Sequence, residues 1–266
     1  MDGLRLYLRL MGAQLRGLMQ YKLSFVTDAA AAGLGMLMEF AAVAVLFVHT
    51  PLIGGWSLPE IALLYGTAEL SLALARGLMD GVDAFPEMVR LGRFDGVLVR
   101  PRNPFLQVMG SKVSLRHIGR IAQGALVLGL ALTWLGVDWG PERWAFLAWT
   151  VLGGVLFFAG LFAIGSTFSF WTVEPLEAFN ILTYGGGAMA SYPMNIYAEW
   201  LRNVFVFVVP LAFVNYVPAL WLLGRPDPLG LPAYAPALAF PLCALVLGAG
   251  LWFWGFGVRR YQSTGS

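Results

Sequence analysis

Three acidic residues lie inside long apolar stretches of this 266-residue chain: Asp28, Glu39 and Glu69. A carboxylate in lipid is costly and usually faces the protein interior or a water-filled route. The 11-residue gap between Asp28 and Glu39 places both on nearly the same face of a helix. Two interpretations stay open: hydrogen bonds between helices, or the lining of a route for substrate or protons.

The polar part of the sequence is concentrated between residues 80 and 120. Seven of the 17 lysines and arginines lie there: Arg90, Arg93, Arg100, Arg102, Lys112, Arg116 and Arg120. Basic loops between apolar spans are retained on the cytoplasmic side of a membrane. We call residues 81–112 the polar loop and predict that it is cytoplasmic.

A short helix with recognisable ends is predicted within the polar loop. Asp83 is a candidate N-cap, Pro86 suits the first turn, and Gly92 suits the position just after the helix. Phe85 and Val89, together with Met88, form one apolar face. Because two helical turns are not stable alone, this helix is expected to pack on its own bundle or on a cytosolic partner.

Several kinds of chemistry have no motif in the sequence. There is no phosphate-binding G-x-x-x-x-G-K-[ST] loop and no cluster of histidines and cysteines for a metal. His49 and His117 are predicted at opposite membrane faces, so they form no catalytic triad. The net charge of +2 gives no reason to expect nucleic acid. An enzyme is therefore disfavoured, and no metal or cofactor is expected on this chain.

The composition indicates the fold class. With 59% hydrophobic and 12% charged residues, the chain is predicted to be an all-α polytopic membrane protein forming a single domain over 1–266. Within residues 1–22, leucines and Met11 recur at helical spacing on one face and arginines share another face, which predicts an interfacial helix. Full spans are predicted at 23–48, 58–80, 113–135, 144–171, 176–194 and 234–258.

One further apolar segment, residues 200–223, is predicted not to cross. Both ends of the chain are basic, so both should be cytoplasmic and the number of spans should be even. Arg202, Asn203, Pro210, Asn215 and Pro218 interrupt this segment. We therefore predict six transmembrane helices, with 200–223 as a re-entrant helical hairpin on the outer face before the last span.

Several short stretches resemble a known family. They are GRFD at 92–95, VRP at 99–101, YP at 192–193, IY at 196–197, PLAFVNY at 210–216, PAL at 218–220 and RRYQSTGS at 259–266. Over essentially its whole length the chain resembles the membrane subunits of type-2 ABC exporters, within a bacterial branch whose substrates are largely unassigned.

The resemblance implies a permease of the bacterial inner membrane, working with two cytosolic ATPase subunits and a second permease, identical or related, among membrane lipids. ATP and Mg²⁺ would be bound by the ATPase. It implies that the polar-loop helix docks on the ATPase, with Phe85, Met88 and Val89 supplying the apolar contact. The implied docking residues are Asp83, Phe85, Pro86, Glu87, Met88, Val89, Arg90, Arg93, Phe94 and Asp95. The candidate substrate path is Asp28, Glu39, Glu69, Asn215 and Tyr216, for a lipid-like, amphipathic or drug-like cargo.

Two alternatives stay open from the sequence. Asp28, Glu39 and Glu69 are also compatible with a proton-coupled secondary transporter, since intramembrane carboxylates serve as proton relays. The chain could instead be an accessory membrane scaffold whose polar loop only recruits a partner.

Overall fold

A computed structural model describes residues 22–114, 116–172 and 181–262, together with positions 7, 12 and 179. The fold is all helical, with 77% helix and no strand in the described part, which confirms the predicted all-α class. The helices are α1 (Lys22–His49), α2 (Leu58–Asp83), α3 (Phe85–Arg90), α4 (Asp95–Leu98), α5 (Pro104–Met109), α6 (Arg116–Trp134), α7 (Pro141–Thr167), α8 (Gly186–Ala190), α9 (Glu199–Asn203), α10 (Tyr216–Leu223) and α11 (Ala235–Arg260).

Three segments of the described chain are long and apolar enough to cross a membrane as single helices: Leu58–Arg90, Pro141–Phe170 and Ala235–Arg260. A fourth, bent candidate consists of Glu199–Val208 and Leu211–Leu223, whose axes meet at 73°. The number of six spans stays a prediction. The predicted interfacial helix at 1–22 lies outside the described residues except at positions 7, 12 and 22. Of the predicted span at 176–194, position 179 and residues 181–194 are described, and helix occupies Ile181–Gly185 and Gly186–Ala190 before the chain turns.

Helix α2 is central to the bundle and packs along both α6 and α7. It begins at Ser57, whose backbone N–H and hydroxyl both donate to the Glu60 carboxylate at 2.8 Å. This capping box satisfies groups that would otherwise be left unpaired at the helix start. Further along, the Ser71 hydroxyl reaches the Val151 carbonyl of α7 at 3.1 Å.

Helices α7 and α11 pack against each other along much of their length. A Cβ atom added to Gly250 would lie 2.7 Å from the carbonyl oxygen of Gly160, and one added to Gly160 would lie 2.7 Å from the backbone nitrogen of Leu247. Small residues let the two backbones touch, which is how membrane helices gain packing energy where lipid is as apolar as a side chain.

One buried side chain makes two hydrogen bonds between the bent segment before α11 and the bundle. The Asn215 amide nitrogen donates to the Leu64 carbonyl at 2.9 Å and to the Ala190 carbonyl at 2.7 Å. These bonds connect the start of α10 to α2 and to the end of α8. Asn215 is buried, so its role is to hold the bend in place.

Candidate functional site

The short helix predicted in the polar loop is present as α3, and its ends explain why it forms there. Pro86 occupies the first turn. Gly92 has φ of +65°, a conformation that favours glycine, and the N–H groups of Gly92 and Arg93 cap the helix by donating to Val89 and Met88. Asp83 does not act as the cap, because Ala84 occupies that position and no side chain caps the helix.

The apolar face of α3 points into the protein. Phe85 and Phe94 are 0% exposed, and Val89 is also buried. The two phenylalanines belong to an aromatic cluster, defined here as Phe85, Phe94, Phe105, Phe170, Trp254 and Tyr261. Ring centroids within it lie 4.4 Å apart for Phe85 and Trp254, and 5.1 Å apart for Phe94 and Tyr261. The cluster thus fastens the polar loop to α11 and to the end of α7.

This burial bears on the docking contact that the resemblance implies. Phe85, Val89 and Phe94 are occupied by contacts within the chain, so they do not present an apolar surface to a partner. Docking of this helix on an ATPase stays a prediction, because an apolar face on a short helix shows only that the face is covered. It does not show by what.

A different set of side chains forms the outer surface of the polar loop. Of the predicted docking residues, Asp83, Glu87, Arg90 and Arg93 are exposed, whereas Pro86, Met88 and Asp95 are half-buried. Leu91, Leu98 and Val99 add exposed apolar area beside these charges, with Val99 82% exposed. The sequence reasoning missed these three. They could have been recognised as aliphatic side chains among charged residues, in a loop too short to form a hydrophobic core of its own.

The polar loop also has polar links to the helices around it. Burial and the neighbouring Asp95 carboxylate raise the pKa of the Tyr261 hydroxyl, just after α11. On the other side, the Tyr184 hydroxyl donates to Asp83 at 3.4 Å, and the Arg76 guanidinium lies 4.0 Å from the centre of the Tyr184 ring. The loop is therefore held at several points.

A cavity of about 510 Å³ opens between α1, α2 and the segment after α8. We call it the lateral cavity, and its lining is Glu39, Ala42, Val43, Leu46, Tyr65, Glu69, Ala188, Ser191 and Tyr192. Glu39, Ala42 and Leu46 are exposed on α1, so the cavity is open toward the surroundings of the bundle. Its size falls in the range of sites that hold drug-sized ligands, roughly 300–1,000 Å³.

Of the four residues predicted for the substrate path whose side chains are described, the structure brings two together. Glu39 and Glu69 share the lateral cavity. Asn215 and Tyr216 do not line it, since Asn215 holds the bend and Tyr216 is fully buried against Trp56, with ring centroids 5.6 Å apart. Asp28 lies on α1, but its side chain falls outside the described part of the structure.

A further group of contacts lies near the predicted outer end of α2, and the sequence analysis did not predict it. Arg225 pairs with Glu60 at 3.2 Å, donates to the Gly55 carbonyl at 2.7 Å, and has its guanidinium carbon 4.6 Å from the Trp56 ring centre. These contacts join the end of the bent segment to the loop between α1 and α2.

No group of His, Cys, Asp or Glu suited to hold a metal ion occurs among the described residues. Comparison with protein-family models gives a match to the ABC-2 family transporter proteins over residues 34–265. The search of curated proteins found no match, and neither did the search of solved structures.

The match begins within α1 and runs past the end of α11, so it includes the polar loop, the lateral cavity and the bent segment. Three long apolar helices and a bent fourth are the architecture of a multi-pass membrane protein. The chain is therefore a membrane component of an ABC transporter and belongs to the ABC-2 transporter family.

Proposed function

We propose that this chain is the permease subunit of an ATP-driven exporter in the bacterial inner membrane. Separate ATPase subunits dock on the polar loop, and a second permease, identical or related, completes the transport path. The main support for the proposal is the way in which the polar loop is packed. It is fixed from within by the aromatic cluster and presents charged and aliphatic side chains outward.

The exposed side chains suit a protein partner. Leu91, Leu98 and Val99 supply exposed apolar side chains, and Glu87, Arg90 and Arg93 supply exposed charges of both signs in the same loop. Interfaces commonly combine an apolar centre with a polar rim. The two signs of charge favour one orientation of the partner, since like charges brought together are costly.

The mechanism follows from how the loop is attached. When the ATPase subunits close on ATP, they displace the polar loop. Because Phe85 and Phe94 contact Trp254 and Tyr261, the displacement passes to α11 as well as to α2, which is nearly continuous with α3. Movement of both helices relative to the second permease switches the transport path between an inward and an outward opening. The lateral cavity receives the cargo.

Copurification of paired variants tests the docking assignment. Leu91→Glu places a charge in the proposed apolar contact, whereas Leu52→Glu makes the same change at an exposed leucine in the loop between α1 and α2. We expect Leu91→Glu to lower the yield of copurified ATPase at least about tenfold, since a buried unpaired charge costs several kcal/mol. We expect Leu52→Glu to retain it. Equal ATPase yields from both variants would contradict docking at the polar loop.

A further inference from the structure

Glu69 is the unusual residue of the lateral cavity. Its side chain is only 8% exposed, yet it lines the cavity, and it makes no hydrogen bond or ion pair among the described residues. Arg76 and Arg120 attract it electrostatically, but neither of them lines the cavity. A buried carboxylate without a direct partner is costly, and either a bound proton or a positive charge beside it relieves that cost.

Glu39 faces the same cavity and adds a second negative charge. The two carboxylates are close enough to repel each other. Repulsion in a low-dielectric surrounding is strong, and a positive charge placed between the two groups removes it. An anion entering the cavity would add to the repulsion, and a neutral molecule would leave it unrelieved.

The remaining lining is apolar and aromatic. Ala42, Val43 and Leu46 supply an aliphatic wall, and the rings of Tyr65 and Tyr192 border the same space. Aromatic rings attract cations through their negative faces, and such rings recur where proteins bind quaternary ammonium groups. The combination of carboxylates, tyrosines and aliphatic side chains matches a molecule that is both charged and hydrophobic.

We infer that the lateral cavity binds hydrophobic organic cations, with Glu69 as the main counter-charge and Glu39 as the second. This inference deepens the proposed transport function and rests on it, because it names the class of cargo that the permease would carry. The opening beside α1 gives such molecules entry from the membrane, where a hydrophobic cation concentrates.

Equilibrium binding of radiolabelled tetraphenylphosphonium to the full chain, isolated with its copurifying subunits in phosphatidylglycerol nanodiscs, tests the inference. We expect saturable binding, weakened at least about tenfold by Glu69→Gln and less by the exposed Glu39→Gln. Glu142→Gln is the matched control, because Glu142 is exposed at the start of α7 and does not line the cavity. The neutral triphenylphosphine oxide should bind more weakly than the cation, and Glu69→Gln should affect it little.

A second variant tests the cavity independently of Glu69, in case Glu69→Gln does not fold. Ala42→Phe adds a ring to the cavity wall from the exposed side of α1 and removes no charge, so it should weaken binding of both probes. Adding phosphatidylethanolamine to the nanodiscs distinguishes two sources of the natural cation. Competition with tetraphenylphosphonium would indicate an amine-headed lipid, whereas unchanged binding would indicate a dissolved cation.

Two results would overturn the inference: wild-type chain with no saturable cation binding, or equal affinities for Glu69→Gln and Glu142→Gln. The copurified ATPase is quantified in the same preparations. ATPase present with cation binding absent refutes the cargo class alone. ATPase absent with Glu69-dependent binding intact refutes the proposed function while leaving the cavity assignment standing.

Discussion

Truncating Phe85 to alanine should release the polar loop from the bundle. Phe85 is 0% exposed and contacts three rings, with centroid distances of 5.0 Å to Phe94, 5.1 Å to Phe170 and 4.4 Å to Trp254. Replacing a fully buried phenylalanine by alanine costs about 3–5 kcal/mol, because packing is lost and a cavity remains. The loss falls on the contact between the loop and α11.

Hydrogen exchange of the polar loop measures this loss. If loop opening becomes easier by about 3 kcal/mol or more, its amides should exchange at least about a hundredfold faster, since 1.4 kcal/mol corresponds to a factor of ten. Phe85→Leu keeps an apolar side chain at the site and should cost about 1 kcal/mol, with roughly a fivefold faster exchange.

Phe207→Ala is the control, because it removes the same side chain from a position that is 75% exposed. Exchange in the polar loop should stay at the wild-type rate in this variant. If Phe85→Ala speeds loop exchange no more than Phe207→Ala does, the aromatic cluster does not hold the loop and the path of movement proposed for α11 is wrong.

Three further substitutions have expected outcomes that thermal unfolding in detergent can measure. Asn215→Asp should destabilise the protein more than Asn215→Leu, by about 2 kcal/mol or more, because a carboxylate would face two carbonyl oxygens where an amide now donates to both; equal melting temperatures would contradict this. Arg225→Gln should lower the free energy of unfolding by about 1–2 kcal/mol, because the Glu60 ion pair and the contact with the Trp56 ring are lost. If the double variant Arg225→Gln with Glu60→Gln loses as much stability as the two single variants added together, the two residues are not coupled. Gly250→Val should separate α7 from α11 and lower the folded yield sharply, since its side chain would overlap the Gly160 carbonyl; a wild-type yield would refute the close approach.

Local signals in the sequence were sufficient to predict the polar-loop helix. Pro86 fixes its backbone φ near a helical value at the start, and Gly92 permits the positive φ that ends the helix, so the helix lies between these two residues. The partner of its apolar face was not predictable, because Phe170 and Trp254 lie far along the chain from Phe85. Periodicity identifies a buried face, but only the tertiary fold shows what covers it.

The candidate cavity was predictable in part for a similar reason. Glu39 and Glu69 stood out because a carboxylate in an apolar span needs an explanation, and both line the lateral cavity. The sequence points to Asn215 together with them, but its amide nitrogen donates to two backbone carbonyls and holds the bend. The Glu60–Arg225 pair went unnoticed, because each residue alone looks like an ordinary charge at the edge of a membrane.

The most direct test of the central claim is copurification of the tagged wild-type chain from its native membrane, followed by mass spectrometry of the proteins recovered with it. The account predicts a P-loop ATPase and a second permease, or a second copy of this chain, in stoichiometric amounts. Recovery of the intact, folded chain without any ATPase would contradict it, and the carboxylates of the lateral cavity would then favour proton-coupled transport.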